Sequence, residues 1–209
     1  MKKLREDFSK GKLSERDIKK DPFAQFELWM KQATEAGIAE YQATVLSTVS
    51  KKGKPTSRIV YLREMENGSL RFYTNYNSKK SRHIIKNKNV CLNFFWADMQ
   101  RQVRIEGTVS MARTKHSDDY FKNRPKDSQI GAWSSDQSSV LKSRKELETA
   151  VLQNAKKFAG KKIPRPEFWG GYEVTPNYYE FWQGRKSRLH DRISFKKVKN
   201  KWKITRLAP

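Results

Sequence analysis

Several cationic or chargeable side chains crowd into the run Phe181-Trp182-Gln183-Gly184-Arg185-Lys186-Ser187-Arg188-Leu189-His190-Asp191-Arg192. If Arg188 opens a strand, Arg188, His190 and Arg192 alternate onto one face. Like charges gathered on an inward face call for an anion to receive them. Phosphate suits such a set, because a guanidinium offers a two-pronged donor. An outward, solvated face is the competing reading. Other clusters permit the same chemistry. In Arg58-Ile59-Val60-Tyr61-Leu62-Arg63 the two arginines stand five apart, so a regular strand points them to opposite faces. Tyr73-Thr74-Asn75, followed by Ser78-Lys79-Lys80, offers hydroxyls, amides at a helix start and two amines. Tyr120, Arg124 and Ser128 recur every fourth residue and share a face if the segment is helical, with Pro125 disturbing the turn. Gln137-Ser138-Ser139 is a polar loop beyond Trp133. Each cluster alone reads equally as surface. Together they fit a cofactor and a substrate that both carry phosphate, and they identify neither.

Signatures of other chemistries are missing. The chain has no GxGxxG loop, P-loop, HExxH or GxSxG. Its three histidines, His83, His116 and His190, lack metal-ligand spacing, and the single Cys91 excludes both an internal disulfide framework and a cysteine-based zinc site. No metal is expected.

The elements that must position these residues are legible. Residues 1–20 carry charges with isolated Leu4, Phe8, Leu13 and Ile18, the pattern of a mobile N-terminal arm. Asp21 and Pro22 then start a helix whose Phe23, Phe26, Trp29, Met30 and Ala33 share a face before Gly37 stops it. Strands are expected over 43–50, 56–64, 70–74, 90–97 and 102–110, with a hairpin at Asn67-Gly68. A short helix is expected over 78–87. Thr114 reads as the cap of a helix that ends before Pro125, and 144–159 as another helix. Three late strands fall near 171–182, 189–195 and 202–206. Many sequential strands with few βαβ alternations argue for a mainly β, antiparallel barrel or sandwich with helices packed outside.

The chain has 209 residues, of which 45 are Lys or Arg and 22 Asp or Glu, for a net charge of +23. That length supports one domain with its own core. A hydrophobic fraction of 36% argues against disorder, despite a mean hydropathy of -0.93. The charge raises nucleic acid, an anionic membrane or acidic small molecules as partners. It is spread as +9 over residues 1–100 and +14 over 101–209, with no basic tail, whereas a nucleic-acid footprint is usually concentrated. No apolar run reaches the roughly 18 residues of a membrane helix, and the start lacks a signal peptide's apolar stretch. A cytoplasmic protein without membrane or nucleic-acid partners is therefore expected.

The stretches Arg101-Gln102-Val103-Arg104-Ile105-Glu106-Gly107, Ser128-Gln129-Ile130-Gly131-Ala132-Trp133, Gln137-Ser138-Ser139, Phe168-Trp169-Gly170-Gly171-Tyr172, Glu180-Phe181-Trp182-Gln183-Gly184, Arg188-Leu189-His190-Asp191-Arg192 and Arg206-Leu207-Ala208-Pro209 closely resemble the pyridoxine/pyridoxamine 5′-phosphate oxidase family. The resemblance covers nearly the whole chain from Asp21. It implies an FMN-binding split β-barrel of antiparallel Greek-key type, one domain over 21–209, working as a homodimer with FMN at the interface. It implies oxidation of pyridoxine 5′-phosphate or pyridoxamine 5′-phosphate to pyridoxal 5′-phosphate, with O2 as acceptor and H2O2 as product. By motif position, Arg58, Ile59, Val60, Tyr61, Leu62, Arg63, Tyr73, Thr74, Lys79, Lys80, Gln102, Gln137, Ser138, Trp182 and Arg192 are the expected FMN residues. Arg63, Tyr120, Arg124, Ser128, Arg188 and His190 are the expected substrate set, with Arg188 and His190 catalytic. Two positions depart from the family pattern. Arg63 stands where lysine is common, and Lys79 where arginine is common. Each keeps the charge but changes its geometry. A flavin enzyme with another substrate, a flavin or pyridoxal-phosphate carrier and a basic RNA-binding barrel are the competing readings. A colourless protein with salt-dependent binding to polyanions marks the last of these, and a flavin protein that forms no pyridoxal 5′-phosphate marks the carrier or another substrate.

Overall fold

Asp21 begins the regular structure. Its carboxylate accepts hydrogen bonds from the N–H groups of Phe23 and Ala24, and Pro22 takes the first position of α1 (Pro22–Glu35), where no N–H is needed. Phe26, Trp29, Met30 and Ala33 are buried on one side of this helix. These contacts come from a computed structural model, which describes residues 7–209.

Nine strands follow: β1 (Ala43–Val49), β2 (Pro55–Tyr61), β3 (Glu64–Glu66), β4 (Ser69–Asn75), β5 (Asn89–Trp96), β6 (Arg101–Met111), β7 (Trp169–Gln183), β8 (Asp191–Val198) and β9 (Lys201–Leu207). They form one antiparallel, curled sheet in the order β2-β1-β5-β6-β7-β4-β3, with β8 and β9 branching from β7. The expected antiparallel barrel architecture with helices is therefore present. β7 is long enough to serve two neighbours along one edge. Residues 169–174 pair with β4, and residues 178–183 pair with β8. The register slips once in the β6–β7 pair, at Glu106/Gly107. There Gly107 passes so near the partner strand that a Cβ would lie 2.4 Å from the Thr175 carbonyl oxygen. The bulge bends the sheet at that point.

Register also sorts the two faces. Leu46, Leu92, Ile105, Tyr179 and Phe195 lie opposite one another across five strands and are all buried. This inner row packs against α1, where Trp29 meets Phe181 edge-on at 5.2 Å and Phe26 meets Phe94 at 5.0 Å. Phe95, Gln102, Trp182, Arg192 and Leu207 form a second row, one residue out of phase and therefore on the outer face. Four helices complete the fold: α2 (Lys79–Lys86), α3 (Thr114–Lys122), α4 (Lys126–Ser134) and α5 (Arg144–Lys157).

The structure departs from the sequence expectations in a few places. The strand expected over 56–64 breaks at Leu62-Arg63. The Leu62 N–H turns to the Gln42 carbonyl and the Arg63 N–H to the Arg71 carbonyl. Thr114 is the first helical residue rather than the cap; Arg113 stands at the cap with no side-chain bond. Helix α4 was not expected, because Pro125 both ends one helix and starts the next. The residues expected as an N-terminal arm pack along the sheet from Asp7 onward. Leu13 and Ile18 join the main core, the Leu13 N–H bonds Asp191, and Arg206 pairs with Glu15. Residues 1–6 of that arm lie outside the described residues. Among the described residues, no helix is long and apolar enough to cross a membrane, and no group of three or more His, Cys, Asp or Glu is placed to hold a metal.

Candidate functional site

The start of α2 carries a nest of cations. The Lys80 ammonium is buried and donates to Thr74 Oγ1 at 2.9 Å, Gln137 Oε1 at 3.0 Å and Ser78 Oγ at 3.2 Å. All three acceptors are neutral. With no carboxylate to hold the proton, burial and the nearby Arg58 push the amine down to about 8. Arg58 reaches over from β2, donating to the Leu46 carbonyl and the Thr48 hydroxyl at 2.9 Å each, and burial lowers its pKa too. The Lys79 N–H donates to Ser138 Oγ at 3.2 Å, and Ser138 itself adopts a left-handed conformation at φ 76°. Thr74, Lys79, Lys80, Gln137 and Ser138, far apart in sequence, thus meet at one helix N-terminus beside Arg58. Partly buried cations bonded only to neutral groups suit a phosphate.

Next to this nest lies a cavity of about 350 Å³, lined by Tyr73, Thr74, Arg124, Ser128, Gln137 and Trp169 among others. Two aromatic rings, Tyr73 and Trp169, line it, and Tyr120 stacks behind them. Tyr73 stacks on Tyr120 at 3.9 Å with 4° between the planes, and both lie nearly parallel to Trp169. Arg124 rides on Trp169, with its guanidinium carbon 4.5 Å from the ring centre. Arg124 Nη1 is buried without a hydrogen-bond partner, and burial lowers the pKa of the group. A buried, unpaired donor on a residue that lines a polar cavity leaves room for an acceptor. Tyr120, Arg124 and Ser128 do meet here, but not on one helix face as their spacing suggests. They come from α3, the Pro125 break and α4. Arg63 adds to the positive field on Arg124. Its guanidinium lies over the Tyr61 ring at 4.7 Å.

Arg188 and His190 occupy a different place. The expected strand alternation fails there, because β8 begins only at Asp191 and Lys186–Arg188 form a single tight turn. Ser187 and Arg188 both have positive φ, 54° and 62°. Such conformations cost about 1–2 kcal/mol per residue outside glycine. Several bonds hold the turn: Leu189 N–H to the Lys186 carbonyl, Ser187 N–H to Asp7 and Arg185 N–H to His190 Nδ1, each at 3.1 Å. The last bond fixes the imidazole. Nδ1 accepts, so in the neutral ring Nε2 carries the proton. Trp182 packs on His190 at 4.6 Å and Phe8 covers it at 5.7 Å. Arg188 is exposed at the tip of the turn.

Gln102, Trp182 and Arg192 line up on the outer face, as adjacent partners across β6, β7 and β8. Arg192 is held by Glu180 at 2.7 Å and by the Ala208 carbonyl at 2.7 Å. Glu180 is buried and also binds Arg104 at 2.8 Å. Arg58 belongs to the inner row through its pairing with Leu46, so one chain holds the two groups of expected cofactor residues on opposite faces. Ile59 and Tyr61, between Arg58 and Arg63, are exposed on the outer side of the edge strand, while Val60 and Leu62 turn inward.

Trp169, Glu64, Arg71 and Glu180 support these sites and were not singled out from sequence. Trp169 had a signal in Trp169-Gly170-Gly171, two glycines that let Tyr73 and Tyr76 approach the strand closely. Arg71 had one as well, a lone charge between Leu70 and Phe72 with acidic residues across the hairpin.

Residues 30–155 match the family model described as pyridoxamine 5′-phosphate oxidase. Residues 169–209 match that of the pyridoxine 5′-phosphate oxidase C-terminal dimerisation region. A relative from Leptospira biflexa, named pyridoxine/pyridoxamine 5′-phosphate oxidase, is 49% identical over 206 residues, covering 99% of this chain and 97% of its own. One of the same name from Cytophaga hutchinsonii is 48% identical over 208 residues, covering 99% and 97%. The crystal structure of PhzG from Burkholderia lata superposes with a TM-score of 0.88 at 25% identity, covering 93% of this chain and 95% of that one. An FMN-binding protein of Nostoc punctiforme shares the fold, with a TM-score of 0.72 at 14% identity and coverage of 92% and 100%.

Proposed function

The chain belongs to the pyridoxine/pyridoxamine 5′-phosphate oxidase family, and from that premise we propose that it oxidises pyridoxine 5′-phosphate or pyridoxamine 5′-phosphate to pyridoxal 5′-phosphate. FMN is the cofactor, O2 the final acceptor and H2O2 the second product. The reaction takes place in the cytoplasm. The observation that carries this reading is the pairing of two adjacent anion sites. The Lys80–Arg58 nest takes the FMN phosphate, and the Arg124 cavity takes the substrate phosphate. The donor chemistry fits both groups, because cations bonded only to neutral partners gain most from a dianion.

When bound, FMN supplies the two-electron acceptor, and the chain's own residues position the substrate for it. Arg124, Ser128 and Tyr120 hold the phosphate end. Arg63 adds charge at the same place. Arg188 and His190, which lie away from this cavity in the same chain, orient the pyridine ring and its substituents from the strained turn of a second copy. His190 acts here as a hydrogen-bond donor from Nε2, since its Nδ1 is occupied by the Arg185 N–H. Phe8 and Trp182 shield that imidazole from water.

A homodimer with FMN at the interface accounts for the split cofactor set. Gln102, Trp182 and Arg192 stand on the outer face of the sheet, away from the Lys80 nest, so a second copy is needed to bring such residues to it. Exposed Ile59 and Phe95 on the outer side suit burial against that copy, and the C-terminal match to a dimerisation region supports it. The test is direct. The purified protein should carry a flavin absorbance band and form pyridoxal 5′-phosphate from pyridoxamine 5′-phosphate in air. A protein without flavin, and inactive after FMN is added, overturns the reading.

A further inference from the structure

Behind the aromatic wall of the phosphate cavity sits an ion-pair cluster with no part in the chemistry above. Arg71 on β4 is 4% exposed and is surrounded by Glu64, Glu66 and Glu173, the last at 2.8 Å. His116 Nδ1 accepts a further Arg71 bond at 3.1 Å. Glu64 stands opposite Arg71 in the β3–β4 register, and its two oxygens do different things. One takes Arg71, while the other accepts the Tyr73 hydroxyl hydrogen. The Tyr73 ring is the platform for Tyr120, and Tyr73 itself lines the cavity. Arg63, one residue before Glu64, is tied to β4 by its N–H bond to the Arg71 carbonyl at 2.9 Å.

We infer that Glu64 is a positioning residue for the substrate phosphate. Held by Arg71, it fixes the Tyr73 hydroxyl and so the ring that lines the cavity and on which Tyr120 stacks. This rests on the substrate reading of the Arg124 cavity given above. The acidic cluster is not a cation site, because Arg71 already neutralises its centre. Both Glu64 oxygens join β3 to β4, but the one that takes the Tyr73 hydroxyl holds a side chain that also lines the cavity.

The test is a double-mutant cycle on Glu64 and Tyr73 in the FMN-loaded enzyme, with pyridoxamine 5′-phosphate as substrate. Activity of the unaltered protein establishes the substrate reading first, and the variants then address Glu64. Glu64→Leu should raise KM about three- to tenfold, the scale of one lost hydrogen bond, with kcat and FMN affinity within about twofold of the parent. Tyr73→Phe should raise KM by a similar factor. The double variant should be no worse than Glu64→Leu alone, since both remove one interaction. Glu64→Gln, whose amide oxygen still accepts the hydroxyl hydrogen, should recover most of the affinity. Effects that multiply in the double variant, an unchanged KM in Glu64→Leu, or an equal loss of FMN affinity would each overturn the assignment. If Glu64→Leu does not fold, Tyr73→Phe decides alone, and an unchanged KM there overturns it.

Discussion

Replacing Lys80 by Met separates what this amine does for a ligand from what it does for the fold. In the structure the ammonium has three neutral acceptors and no counter-charge. A charge-assisted hydrogen bond to phosphate contributes about 1.5–3 kcal/mol. At about 1.4 kcal/mol per tenfold, Lys80→Met should weaken FMN binding roughly ten- to hundredfold. Stability should respond differently. Burial holds the folded amine at about 8 against 10.5 in the unfolded chain. Between those values the unfolded chain binds more protons, so stability rises with pH through that window. Below it, the buried charge costs the fold roughly 3 kcal/mol. Met removes that cost but leaves Thr74, Ser78 and Gln137 without their donor, a loss of about 1–3 kcal/mol, so Tm should move little. The assay is a fluorescence titration of apoprotein with FMN from pH 7 to 9.5. The parent should lose affinity above pH 8, by at most about tenfold per pH unit, and Lys80→Met should show no such step. Affinity within twofold of the parent, or the same pH step in both proteins, would refute the reasoning.

Further outcomes follow from other parts of the structure. Arg124→Leu removes a buried guanidinium with an unpaired Nη1 and should raise KM for the phosphorylated substrate about tenfold or more while FMN stays bound, as read by steady-state kinetics and the flavin spectrum. Gly107→Ala drives a methyl group into the Thr175 carbonyl at the β6–β7 bulge. It should destabilise the fold by about 1–3 kcal/mol in a denaturant titration. Mixed dimers test the shared cofactor site. Lys80→Met and Trp182→Ala damage opposite halves, so a mixture allowed to exchange subunits should regain about a quarter of parental activity through one intact site in each heterodimer. Activity equal to the mean of the two separate variants would place both halves in one chain.

Much of this architecture is readable in the residues, for physical reasons that can be named. The Asp21-Pro22 start, the Asn67-Gly68 hairpin and the Val-, Leu- and Thr-rich run 43–50 are local signals, and each element forms where its signal lies. The candidate anion-binding groups stood out as types, cations beside hydroxyls, although each cluster alone reads equally as surface. Their grouping was less so. Tyr120, Arg124 and Ser128 meet through a proline break rather than a helix repeat. Arg188 looks like a strand residue until the bonds of Asp7 and His190 hold its turn at positive φ. Those bonds join residues up to 180 positions apart, and no local pattern encodes them. Glu64 and Arg71 stayed hidden for a related reason. A buried ion pair is recognisable only once the hairpin register places the two side by side.

The account's central claim is a flavin-dependent oxidation of a phosphorylated pyridine. One measurement addresses it most directly: pyridoxamine 5′-phosphate is added in air to the purified protein, and pyridoxal 5′-phosphate and hydrogen peroxide are followed together. The account predicts a yellow protein that forms the two products in equal amounts, and an Arg188→Leu variant that keeps its flavin but loses most of kcat/KM. A flavin-loaded protein that forms neither product, or an Arg188→Leu variant with near-normal turnover, would contradict it.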